Sequence, residues 1–235
     1  MQSELMREDQ SRSFHERQRP QRQEPLPLMP RSGRAEAQDV VGRGALDRRS
    51  DCPILLSSRL VLRAPHIDDV DALAHLANNA NVATMVSRMP HPYTAADAAA
   101  FVRRTAEGTI GKCVYAITKA ETGAFLGCCG VEAEQDAGAV ELGFWLGEPH
   151  WNKGYATEAA QTLIDMAFRT REIERIDARC RVVNAASRRV LQKCGFQLRG
   201  SGLVDCLALG GMVPVEHFHL DRKTWISLRS WGGRR

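Results

Sequence analysis

Residues His150 to Ala159 read HWNKGYATEA and put a glycine where an apolar, strand-like run, AVELGFWL, gives way to helical periodicity. The first N–H groups of a helix lack helical partners and lie at the positive end of its macrodipole, so a strand, a glycine and a helix start form an arrangement suited to phosphate. Gly154 would let a ligand approach the backbone closely. The pattern is neither GxxxxGK[ST] nor GxGxxG, and on mechanism alone the glycine serves a plain strand-to-helix turn equally well. A second candidate is Glu141, within AVELGFWL. Val140, Leu142, Phe144 and Leu146 share one face of that run, which leaves Glu141 and Trp145 on a face that the core pattern does not claim. A third is the pair His217 and His219, which share one face of a late strand-like run and are placed to line an acceptor cleft; their spacing suits a metal pair as well, but with no third ligand evident no metal site is expected.

The elements that must position these residues follow from periodicity. RLVLR (59–63) alternates as a first strand, and HIDDVDALAHLANN carries Val70, Leu73, Ala74 and Ala77 at helical spacing behind acidic residues suited to a helix start. Thr94 and Asp97 form a capping-box pattern ahead of Ala98, Phe101, Val102 and Thr105. KCVYAIT and AFLGCCGVEA read as a hairpin about Glu121, Thr122 and Gly123, with AVELGFWL as the next strand. Ala156, Ala159, Ala160, Leu163, Ile164, Ala167 and Phe168 predict an amphipathic helix. Ile176, Ala178, Cys180 and Val182 alternate along a strand that Asn184 ends, and a short helix with Ser187, Val190, Leu191 and Cys194 closes at Gly195. The remainder predicts two or three β segments turning at Gly210 and Gly211. The expected order is β-α-α-β-β-β-α-β-α-β-β, an α/β domain over residues 53–235 with a mixed sheet.

Residues 1–52 are an Arg/Gln/Pro-rich extension with too little apolar surface to offset the entropy of ordering, so disorder is expected there. The chain carries 32 Lys and Arg against 28 Asp and Glu, a balance too even for a nucleic-acid footprint, although the extension could dock weakly on RNA. No apolar run reaches the roughly 20 residues of a membrane helix, and no apolar signal core opens the chain, so a cytoplasmic protein without membrane partners is expected. Seven cysteines, odd in number and without a CxxC pair, argue against both a zinc site and a disulfide framework.

The run NAASRRVLQKCGF (184–196), taken with GFWLGEPHWNKGYATEA (143–159), closely resembles the acyl-CoA-binding signatures of the GNAT N-acetyltransferase superfamily, in its RimJ/RimL branch. The resemblance spans roughly residues 53–226 and implies a mostly antiparallel central sheet flanked by helices, with acetyl-CoA as co-substrate. It implies that Trp151, Asn152, Lys153, Gly154, Tyr155, Ala156 and Thr157 wrap the coenzyme's pyrophosphate, chiefly through backbone amides. The common motif opens with Gln or Arg; Trp151 here removes one side-chain contact and shifts the grip further onto the backbone. Pantetheine is expected beside Trp145 and Leu146, with Asn184 as a hydrogen-bonding partner that also suits a helix N-cap. The tyrosine many members place seven residues after the asparagine is replaced by Leu191, and Ser187 resembles the serine near the coenzyme sulfur.

The implied reaction is attack of a neutral amine on the acetyl thioester, with backbone N–H groups near Leu146 stabilising the oxyanion. Glu141 is the candidate base, acting through water, with an arginine-paired structural carboxylate as its plain alternative. An α-amine, of pKa about 7.7–8.0, is more readily neutral than a lysine amine near 10.4, which favours a protein N-terminus as acceptor. The alternatives are a small amine (amino acid, polyamine or antibiotic) and a non-catalytic acyl-CoA-binding module. The expected assembly is a monomer or homodimer.

Overall fold

A computed structural model describes residues 52–108, 113–133 and 139–232. The expectation of a disordered segment over 1–52 lies, apart from Cys52, outside these residues. Among them eight strands form one sheet: β1 (Leu55–Leu56), β2 (Leu60–Arg63), β3 (Cys113–Lys119), β4 (Phe125–Ala133), β5 (Ala139–Leu146), β6 (Arg175–Arg181), β7 (Gln197–Cys206) and β8 (Gly211–Asp221), in spatial order β1-β2-β3-β4-β5-β6-β8-β7. Every neighbouring pair is antiparallel except β5 and β6.

Alternation along the strands builds two cores. Helix α4 (Tyr155–Thr170) lays Ala159, Ala160, Leu163, Ile164, Ala167 and Phe168 on one face of the sheet, against Leu60, Tyr115, Ile117, Val131, Leu142 and Ile176. Helices α1 (Val70–Ala77), α2 (Ala80–Ala83) and α3 (Ala95–Ala106) bring Leu73, Leu76, Val82, Ala98 and Val102 to the other face, over Ala116 and Cys128. Cys128 and Cys129 thus point into opposite cores, as strand geometry requires. All seven cysteines are free and six are buried. Arg171 donates to the Cys113 sulfur at 3.1 Å, and hydrogen bonding with Cys52 together with that guanidinium holds the Cys113 thiol below the ordinary range.

Sequence cues set the helix ends. Thr94 and Asp97 form the expected capping box of α3. Arg63 grips Asp69 through two hydrogen bonds of 2.7 Å, and Asp69 also accepts the His66 N–H at 2.7 Å, which ties the end of β2 to the start of α1. Helix α5 (Ala185–Lys193) is capped by Asn184, and Gly195, at φ 89°, closes it: the Phe196 N–H reaches Leu191 O at 3.0 Å.

Three features depart from the expected order. The two-residue β1 and four-residue α2 are too short for periodicity to register. Helix α6 (Arg222–Gly232) follows β8 where no helix was expected. Asp221 accepts from the N–H and hydroxyl of Thr224, Trp225 stacks on Phe168 with ring centroids 5.1 Å apart, and its indole N–H reaches Asp165 at 2.8 Å. Val182, expected to continue the alternation of β6, lies just beyond that strand, which ends at Arg181.

Candidate active site

Strands β5 and β6 pair only over Ala139 with Arg175, Val140 with Ile176 and Glu141 with Asp177. Beyond that register they splay. The Gly147 N–H donates to Leu126 O at 2.9 Å, and antiparallel ladders alternate bonded with non-bonded pairs. The N–H groups of Trp145 and Gly143 therefore turn toward β4, while those of Phe144 and Leu146 turn toward the gap left by β6. A parallel pair that opens this way offers a row of unpaired amides to an extended ligand, since no strand satisfies them.

The splay leads directly into the helix start. Gly154 is the N-cap of α4 at φ 81°, a left-handed conformation that a Cβ strains, and Asn152 is also left-handed at φ 60°. No side chain caps this helix, and its first backbone bond runs from the Glu158 N–H to Gly154 O. The N–H groups of Tyr155, Ala156 and Thr157 precede that bond, so they lack intrahelical acceptors and point out of the helix. The alternation of left-handed residues beside a helix start makes an anion-binding concavity.

The loop is held from outside. Trp151 Nε1 donates to Leu146 O at 2.7 Å, so the residue standing where Gln or Arg is common spends its polar atom on the end of β5. Lys153 Nζ is bonded to Pro149 O at 2.8 Å. Glu158 accepts from the Ser57 and Ser58 hydroxyls, from the Arg59 N–H and from the Arg59 side chain at 2.7–2.9 Å, and Arg59 also donates to Lys153 O. Burial pulls the Glu158 carboxyl upward, but these donors together hold it below its ordinary value. The turn before β2 thereby clamps the start of α4.

A cavity of about 1130 Å³ passes through the splay. Glu141, Trp145, Leu146, Trp151, Asn152, Gly154, Tyr155, Ala156, Thr157, Asn184 and Ser187 all line it; of the residues singled out in the sequence as a coenzyme or catalytic site, Lys153 alone does not. The Asn184 side-chain oxygen accepts the Ser187 N–H at 3.0 Å, which leaves its amide nitrogen free to donate elsewhere. Leu191, in the tyrosine's place, is buried in the α4 core.

Glu141 meets Arg179 from β6 through two hydrogen bonds, one of 2.7 Å from Nε. The plain alternative is therefore realised: Glu141 is an arginine-paired carboxylate, and it also lines the cavity. His217 and His219 sit on the same face of the sheet, opposite Arg179 and Asp177, but neither lines the cavity. Burial, and then the charge of Arg199, depress the His219 imidazole. Among the described residues no group of three or more His, Cys, Asp or Glu could hold a metal. The far wall of the cavity comes from residues 85–90 after α2 and from Tyr93, whose phenol burial pushes up to about 12. This wall was not read from the sequence, for it belongs to a connection without periodicity.

The arrangement fits a long, thin ligand with an anionic group at the α4 start and an extended stem along the edge of β5. The chain matches the family model described as an acetyltransferase (GNAT) domain over residues 59–197. It is 31% identical to the "uncharacterized N-acetyltransferase p20" of Bacillus licheniformis over 175 residues, which cover 73% of this chain and 97% of that protein. RimL, a ribosomal alpha-N-protein acetyltransferase solved with coenzyme A, is similar in fold at a TM-score of 0.61 and 21% identity, over 72% of this chain and 98% of that one. The spermidine N-acetyltransferase of Vibrio cholerae, solved with CoA and spermine, is similar at a TM-score of 0.60 and 18% identity, over 72% and 99%. Among the described residues no helix is long and apolar enough to cross a membrane.

Proposed function

The chain belongs to the GNAT acetyltransferase family and is an N-acetyltransferase that uses acetyl-CoA, and on that premise we propose that it acetylates the α-amine of a protein N-terminus, in the manner of the RimJ/RimL branch. One observation carries this choice of acceptor. Every carboxylate that lines the cavity among the described residues is already engaged: Glu132 with Arg88 at 2.5 Å, Glu141 with Arg179, and Asp97 with the N–H and hydroxyl of Thr94. A polyamine brings several cations that need uncompensated carboxylates, whereas a peptide brings one amine that must become neutral before it reacts.

Acetyl-CoA supplies the activated acyl group as a thioester. The amides of Tyr155, Ala156 and Thr157 hold its pyrophosphate, with Asn152 and Gly154 shaping the approach and Lys153 adding positive charge nearby. The Phe144 N–H and the side-chain amide of Asn184 hold the pantetheine, beside Trp145 and Leu146. The Leu146 N–H stabilises charge developing on the acyl oxygen. Glu141 takes the amine proton through water, and the Ser187 hydroxyl hydrogen-bonds the departing sulfur; a serine is too weak an acid to do more.

Coenzyme A release measured with N-terminal peptides, free amino acids, polyamines and amine antibiotics tests the reading. Peptides are expected to turn over fastest. Activity confined to the small amines would overturn the assignment, and acetyl-CoA binding without turnover of any amine would make the fold a binding module.

A further inference from the structure

On the acceptor side of the splay stands an arginine that the proposed chemistry leaves unused. Arg181 is the last residue of β6 and follows the alternation that puts Ile176, Ala178 and Cys180 into the α4 core, so its side chain emerges on the opposite face and lines the cavity. Its Nη1 donates to Thr84 O at 2.6 Å, which pins it to the end of α2. Its Nε–H is sealed from solvent and has no hydrogen-bond partner, and its Nη2 is neither sealed nor bonded to any described residue. Among the described residues no carboxylate pairs with it, while its neighbour Arg179 is matched by Glu141 and Arg88, across the cavity, by Glu132.

A guanidinium that is partly desolvated without an anion is costly, and an unmade donor beside a charge adds to that cost. The surrounding wall is firm. The Leu207 N–H bonds Ser87 O at 3.0 Å and Cys206 Sγ donates to Val86 O, so the segment after α2 is tied to the β7–β8 turn around this arginine. A fixed, unmatched guanidinium on a cavity wall is a ready partner for a carboxylate.

We propose that Arg181 is a specificity residue that receives a carboxylate of the acceptor, an Asp or Glu side chain close behind the reacting N-terminal residue. This rests on the N-terminal reading above. It makes the enzyme selective among N-termini: acidic starts are bound, neutral ones are tolerated, and basic ones are repelled by a guanidinium that no carboxylate among the described residues neutralises.

The test is a set of short peptides sharing their first residue and carrying Glu, Gln or Lys at positions two to four, assayed with the wild type, Arg181→Gln, Arg181→Lys and Arg181→Glu. The wild type is expected to favour the Glu peptides over the Gln peptides by about tenfold or more in kcat/KM, through KM. Arg181→Gln keeps a donor for Thr84 O and is expected to lose the preference while retaining kcat on Gln peptides and KM for acetyl-CoA. Arg181→Lys should restore part of it, and Arg181→Glu should turn it toward Lys. The same peptide preference in the wild type and in a folded Arg181→Gln, or no preference in the wild type, overturns the role of Arg181 and leaves N-terminal acetylation standing. Turnover of free amino acids alone, still dependent on Arg181, overturns the N-terminal acceptor and keeps the carboxylate contact.

Discussion

Trp151 and Leu146 are joined by a hydrogen bond of 2.7 Å from the indole Nε1 to the backbone oxygen, which ties the loop after β5 back to the end of that strand. This bond consumes a carbonyl that the splay would otherwise leave open, and it fixes the strand end against the anion-binding loop. Trp151→Phe keeps an aromatic ring at the site and removes the donor together with the pyrrole half of the indole. A bond of this kind is worth about 0.5–1.5 kcal/mol, so the Kd for acetyl-CoA should rise roughly two- to tenfold with little change in melting temperature. Calorimetric titration with acetyl-CoA measures it, and equal affinities would mean that the indole does not organise the loop.

Gly154 permits a more severe test of the same loop. A Cβ at Gly154 would meet only the Arg59 guanidinium, at 3.3 Å, so its requirement comes from the backbone at φ 81° rather than from crowding. Gly154→Ala should cost about 1–2 kcal/mol of stability from the left-handed conformation and weaken acetyl-CoA modestly. Gly154→Asp adds a carboxylate at the mouth of the helix and should abolish acetyl-CoA binding. A folded Gly154→Asp that binds as well as wild type would remove the pyrophosphate from this junction.

Much of this loop was legible in the sequence because its signals are local: a lone glycine before an amphipathic run marks a helix start, and Asn184 three residues before Ser187 marks another. Partners distant in the chain were not. Arg179 lies 38 residues from Glu141, and their meeting depends on the register of a parallel pair that no composition reveals. Arg181 looks like the polar half of an ordinary strand alternation, and its lack of a carboxylate partner among the described residues emerges only when the neighbouring arginines are seen to be matched. Trp151 read as the loss of a ligand contact; its gain, the bond to Leu146, needed the strand end in place. Helix α6 escaped because its apolar residues, Trp225, Ile226 and Leu228, are interspersed with Arg, Lys and Ser, and because its cap, Asp221, still belongs to β8.

Asp69 makes stability depend on pH. Burial raises its carboxyl, but the Arg63 side chain and the His66 N–H outweigh that and hold it below its ordinary value. A carboxyl depressed on folding adds stability that is present above the unfolded value of about 3.9 and is lost as pH falls through the folded value. Asp69→Asn should therefore cost about 2 kcal/mol at neutral pH, and its deficit should shrink as pH drops below about 4. Urea unfolding of both proteins from pH 7 to pH 3 follows the gap; a constant gap would show that the charge of Asp69 does not carry the contact.

Glu141 bears the sharpest remaining question, because one carboxylate is asked to hold Arg179 and to move a proton. The two duties are compatible in geometry. Arg179 occupies one lone pair on each oxygen, each oxygen retains another, and Glu141 still lines the cavity with its side chain 17% exposed. Glu141→Gln keeps the shape and one acceptor for Arg179 but cannot take a proton. If the base role is correct, kcat should fall by about 10²-fold or more, with the KM for acetyl-CoA nearly unchanged. A purely structural pair behaves the other way: Glu141→Gln would lower the melting temperature and leave kcat within a few fold. Arg179→Lys completes the comparison, since it keeps the charge and one hydrogen bond; it should leave the fold intact and cost far less in kcat than Glu141→Gln. Equal losses from the two variants would mean that the pair is needed for its geometry, and the proton would have to leave by another route.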